Sequence, residues 1–218
     1  KRYYDWLKDN IKIDGIISVE RDKEFDNERT YNSGGIRLYY KTLTGKVEGL
    51  KEGILLEVGF DTVTPNEPLT ISSWAYDRAA ATTGLTIKDN RAVDIACYHP
   101  GYTFVEKLQT IITKFRREQE TGQEKQNLMR QYYDVYSLLD NTLVQAFIGT
   151  DDYKKHKEIR FVGKDKGAVV AENAAFHLAG EIRERFIKRY EATKSLYYDG
   201  QPPFEELLAR IHQNIGRL

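Results

Sequence analysis

Residues 102–118 read Tyr-Thr-Phe-Val-Glu-Lys-Leu-Gln-Thr-Ile-Ile-Thr-Lys-Phe-Arg-Arg-Glu, and residues 126–140 read Gln-Asn-Leu-Met-Arg-Gln-Tyr-Tyr-Asp-Val-Tyr-Ser-Leu-Leu-Asp. Phe104, Leu108, Ile111 and Phe115 recur at spacings of three and four, as do Leu128, Tyr132, Val135 and Leu139. Each set therefore lines one face of a helix. The linker around Gly122 is short enough to fold the two into an antiparallel pair. Three charged residues stand on them: Lys107, Arg130 and Asp134. Arg130 and Asp134 have the i,i+4 spacing of a surface ion pair, which contributes only about 0.3–0.5 kcal/mol. Yet Asp134 lies between Tyr133 and Val135, and Lys107 directly precedes Leu108. Charges set in apolar sequence are candidates for a cleft, although structural ion pairs share that pattern. Lys107 and Lys114, seven residues apart with Arg117 close by, form a basic stripe; the plain reading of such a stripe is a solvated face.

Working toward the N-terminus, Pro100-Gly101 is strong punctuation, and the chain changes character there. Before it, residues 11–20, 36–40 and 54–61 read as strands, with a helix at the very start. Residues 70–73 give a last short strand, 76–90 little structure, and 85–98 only a weak alternation. Gly34-Gly35 is followed by no Gly-Lys-Ser/Thr and lacks a dinucleotide-binding spacing, so it eases a tight turn rather than cradling phosphate. In the strand 54–61 a period of two puts Ile54, Leu56, Val58 and Phe60 on one face. Leu55, Glu57, Gly59 and Asp61 take the other. A carboxylate amid such a strand needs solvent, a partner or a metal; an exposed edge is the plain reading of Glu57.

Toward the C-terminus the pattern is helical throughout: 141–148, a polar helix at 151–160, a basic turn at 163–167, a long region over 172–198 and a final amphipathic helix at 204–215. The expected class is α+β, with domains 1–99 and 100–218.

The 218 residues suffice for a sizeable core. Lys plus Arg and Asp plus Glu each number 33, so no global field draws the chain to nucleic acid or an anionic membrane. No apolar run nears the roughly 20 residues of a membrane helix. One cysteine, Cys97, excludes an internal disulfide and a cysteine-built metal site, and fits a reducing cytoplasm. The four histidines are scattered and form no metal or triad motif.

Thr103-Phe104-Val105-Glu106-Lys107-Leu108, followed by Arg130-Gln131-Tyr132-Tyr133-Asp134-Val135-Tyr136, resembles the paired motifs of the AbiEii/AbiGii-type nucleotidyltransferase toxins. Glu172-Asn173-Ala174-Ala175-Phe176 and Tyr197-Tyr198-Asp199-Gly200-Gln201-Pro202-Pro203-Phe204 resemble that family's closing segments. The resemblance implies part of a polymerase-β-like mixed sheet followed by a helical domain. It further implies transfer of a nucleoside monophosphate from an NTP, with Mg²⁺, to an acceptor such as tRNA or another RNA. The setting implied is cytoplasmic, a toxin–antitoxin or phage-defence system with a cognate antitoxin partner. By position, Glu57 matches the strand carboxylate that helps hold Mg²⁺. Lys107 matches the lysine that binds the triphosphate, Asp134 the aspartate that acts on the attacking hydroxyl or orients the site, and Arg130 a supporting phosphate contact. Positioning and charge neutralisation are what such a transfer requires. One departure stands out: the family's Gly-Ser or Gly-Gly turn with an Asp-x-Asp pair has no counterpart after Ser33-Gly34-Gly35. With Met129 as the sole methionine, that pair is expected upstream of Lys1. The alternative is a non-catalytic module that binds a nucleotide or partner.

Overall fold

The computed structural model describes residues 2–43, 45, 51–125, 127–197 and 200–218. They fall into two compact units, Lys1–Thr62 and Val63–Leu218. Residues 46–50 between the second and third expected strands, Gln126 at the head of the second quoted stretch, and Tyr198 and Asp199 of the tail motif lie outside the described residues.

The first unit carries helix α1 (Arg2–Asn10) and strands β1 (Ile16–Asp22), β2 (Ser33–Tyr40) and β3 (Ile54–Gly59). The strands make a sheet in the order β1-β2-β3. A mixed sheet was expected; both pairings are antiparallel. Tyr4, Ile36 and Leu38 are its buried centre. Gly34 is required there, because a Cβ would come within 2.8 Å of the Tyr4 ring. Gly34 thus admits an aromatic ring, and Tyr4 completes the seat by donating its hydroxyl to the Tyr31 carbonyl at 2.9 Å. The first strand begins at Ile16 rather than Ile11, since Gly15 takes a left-handed φ of 86° and turns the chain just before it.

The second unit opens with β4 (Asn66–Ile71), α2 (Trp74–Ala80) and β5 (Ala92–Tyr98). The two strands pair antiparallel. Helix α2 falls where little structure was expected; Ser73 caps it by accepting from the Tyr76 amide at 3.1 Å. The rest is helical: α3 (Pro100–Thr121), α4 (Leu128–Leu138), α5 (Thr142–Phe147), α6 (Asp151–Arg160), α7 (Gly180–Glu191) and α8 (Phe204–Asn214). The long helix expected over 172–198 is shorter at both ends. The Asn173 side chain accepts from the Ala175 amide, a local bond that competes with helix, and Gly180 enters with φ 53°. One large core joins all six helices, with Phe104, Leu108, Ile111, Tyr132, Val135, Phe176, Phe186 and Phe204 at its centre.

Candidate active site

Helix α3 begins at Pro100, whose fixed φ suits the first helical position. His99 caps it, Nδ1 accepting from the Gly101 amide at 3.1 Å. Gly101 is needed for a different reason: a Cβ would lie 2.5 Å from the Phe147 ring of α5. At the far end Gly122 adopts φ 65° and donates to the Glu118 carbonyl, closing the helix in a left-handed cap. Below that cap the buried Glu118 carboxylate accepts from Arg189 of α7 at 2.9 Å through both oxygens and from the Lys125 amide at 2.6 Å. The α3–α4 turn is therefore held by a paired buried charge.

Within this hairpin Lys107 and Asp134 meet. Lys107 Nζ donates to Asp134 Oδ2 at 2.7 Å, and both side chains keep about a third of their surface open, 30% and 35%. Asp134 thus pairs across the hairpin, not with Arg130 four residues before it. A helical neighbour offers a partner along one surface, whereas the antiparallel packing puts Lys107 opposite the carboxylate. Arg130 is exposed at the start of α4. Burial pushes the nearby Tyr197 hydroxyl upward in pKa, and the positive charge of Arg130 opposes that rise. The ring of Tyr197 meets Tyr133 edge-on at 4.6 Å. Further along α3, burial and then the like charge of Lys107 draw the Lys114 ammonium below its ordinary pKa.

The other motif residues position this face. Glu106 Oε1 accepts from the Tyr98 hydroxyl at 3.3 Å, lies 3.2 Å from His156 Nε2 and 3.8 Å from Arg160 Nε, tying α3 to β5 and α6. Tyr132 is fully buried and donates to the Ala175 carbonyl at 2.7 Å, so the Glu-Asn-Ala-Ala-Phe segment holds α4 from behind. Tyr136 donates to Glu206 of α8 at 2.6 Å. Gln201 Nε2 donates to the Tyr190 carbonyl at 2.7 Å, fastening the tail to α7. The role of Glu106 was missed in the sequence, although its place beside Lys107 in the motif was a signal.

A family model described as the nucleotidyl transferase AbiEii toxin of type IV toxin–antitoxin systems matches residues 5–210. The chain belongs to this family. No curated protein and no solved structure matches it. Membership carries the nucleotidyl transferase class and the toxin setting that the quoted motifs implied.

Glu57 lies in the other unit. It is exposed on β3, opposite Gly35 of β2, on a strand that among the described residues is bonded from one side only. Of the four residues that the alternation put on one face, Ile54, Leu56 and Phe60 are exposed and Val58 alone packs against the core. Among the described residues no group of three or more His, Cys, Asp or Glu side chains converges to hold a metal ion. A lone exposed carboxylate does not fit a Mg²⁺ site by itself. No helix among the described residues is long and apolar enough to cross a membrane.

Proposed function

We propose that this chain is the toxin of a toxin–antitoxin or phage-defence pair. It transfers a nucleoside monophosphate from an NTP to a hydroxyl of an acceptor RNA such as tRNA, in the cytoplasm, with Lys107 and Asp134 at the reacting groups. The single observation that supports this is the Lys107–Asp134 pair, 2.7 Å apart and still solvent-accessible, in a chain of a nucleotidyl transferase family.

The chemistry follows from the charges. Lys107 has three donors, so it can keep Asp134 while offering N–H groups to a triphosphate. Arg130 gives a second cation, suited to bidentate phosphate contact. The acceptor oxygen attacks the α-phosphorus and a new P–O bond forms as the bond to the departing pyrophosphate breaks. The hydroxyl proton passes to Asp134 and then to solvent. Lysine and arginine neutralise charge gathering on the phosphates, where fixed donors contribute most. Mg²⁺ is the usual further source of positive charge in such transfers, and no step above runs through it. A cognate antitoxin is the proposed protein partner.

The direct test incubates the protein with each α-labelled NTP, Mg²⁺ and total RNA. Label on RNA, lost in Lys107→Ala and Asp134→Ala while both variants stay folded, is the expected result. Nucleotide binding with no label on any RNA makes the chain a binding module instead.

A further inference from the structure

A cavity of about 650 Å³ opens in the second unit, on the side of α6 that carries Tyr153 and Lys157, with Phe161 just past the helix end. These three recur every four residues, so they stand in one row. The Lys157 ammonium rests over both rings, 5.8 Å from the Tyr153 centroid and 5.7 Å from that of Phe161. Lys166, Val169 and Arg217 complete the walls. The Arg217 guanidinium is held on one side by Gln145, with Nη1 donating to Oε1 at 2.8 Å and Nη2 to the carbonyl at 3.1 Å. Its remaining N–H groups are left for something else.

The charge is lopsided. Lys154, Lys157, Lys166 and Arg217 line the cavity against one side-chain carboxylate, Glu158. Lys154 has Asp151 at 3.2 Å, but among the described residues Lys157 has no carboxylate partner and sits half-buried. Burial alone, with no compensating anion, draws its pKa down. Two aromatic faces recover part of that loss; an anion would recover more. The wall behind the cations is mainly apolar, and the volume lies within the range of small-molecule sites, far larger than a phosphate ion needs.

We propose that this cavity binds a nucleoside phosphate, its base against the apolar wall and its phosphate on Lys157, Lys166 and Arg217, as a site separate from Lys107 and Asp134. The ligand chemistry is shared by a free nucleotide and by a nucleotide unit of a single-stranded RNA. The site takes an amphipathic anion, because neither a bare anion nor a neutral ring uses both walls.

The test measures ADP binding by calorimetry on the full chain carrying Lys107→Ala, which disables the α3–α4 face and leaves the cavity untouched. ADP should still bind. Adding Lys157→Met and Lys166→Met, which keep the side-chain length, should weaken it about tenfold or more, since charge-assisted phosphate contacts are lost. Val169→Trp, which fills the cavity without altering charge, should weaken it as well, with thermal melts confirming that each variant is folded. Loss of all ADP binding in Lys107→Ala alone, or unchanged binding in the Lys157/Lys166 variant, overturns the proposal. Pyrophosphate competing as well as ADP also overturns it, leaving only a basic patch. A single-stranded trinucleotide run in parallel identifies the source: tighter binding than ADP assigns the site to RNA, weaker binding to a free nucleotide, and either supports the site.

Discussion

Lys107 and Asp134, twenty-seven residues apart in the chain, face each other at 2.7 Å across the α3–α4 hairpin with a third of each side chain open to solvent. An exposed pair of this kind contributes at most about 1 kcal/mol to stability. Its two residues are therefore a poor explanation for folding and a good one for a site. Lys107→Ala and Asp134→Ala should each lower nucleotidyl transfer by about a hundredfold or more while changing unfolding free energy by under about 1 kcal/mol. Denaturant melts beside transfer assays check this. A large stability loss with proportionate activity would make the pair structural.

Glu118 and Arg189 form the opposite case. Both side chains are largely buried, and removing one partner of a buried pair strands a charge, at a cost of about 3–5 kcal/mol. Arg189→Met should show that loss in urea melts. The double variant Glu118→Met with Arg189→Met should recover much of it; additive losses would mean that the two do not act as a pair.

Asp165 offers a pH test. Its carboxylate accepts from Arg116 Nε at 2.7 Å and Nη2 at 3.0 Å, and from the Thr113 hydroxyl at 2.6 Å. The Arg116 bonds, against the opposing effect of burial, hold its pKa below the usual carboxylate value. A depressed folded pKa gives stability that is present above the unfolded value, near 4, and lost as pH falls through the folded one. Asp165→Asn should cost about 1.5–3 kcal/mol at neutral pH and should flatten the acid limb of the stability curve. An acid limb as steep as that of the parent protein would exclude Asp165 as its source.

At Gly101 the prediction is steric. A methyl group there meets the Phe147 ring at 2.5 Å, so Gly101→Ala should destabilise by about 1–3 kcal/mol through overpacking. Adding Phe147→Leu should restore part of that. If thermal melts show no loss for Gly101→Ala, the close packing of α3 on α5 is wrong.

What was legible in the sequence followed from period and punctuation. Pro100 opens α3, Gly122 closes it, and the apolar rows of both helices are buried where their spacing put them. Capping chemistry at Ser73 was present but hidden among the threonines and alanines that follow, so α2 was missed. The partner of Asp134 could not be read, because spacing along one helix names Arg130 and only the packing of two names Lys107. Glu57 shows the same limit from the other side. Alternation put Ile54, Leu56 and Phe60 on one face of the stretch 54–61, but burial depends on what covers that face, and all three are exposed.

Glu106, Lys107 and Leu108 are consecutive, and on a helix each turns about 100° from the last. Glu106 reaches Tyr98 and His156, Lys107 reaches Asp134, and Leu108 is fully buried in the core. Three successive side chains thus moor α3 in three directions. Rolling the helix to free Lys107 would at once tear Glu106 from its partners and lift Leu108 out of the core. Any ligand that draws Lys107 away from Asp134 must do so by swinging one flexible side chain over a fixed axle.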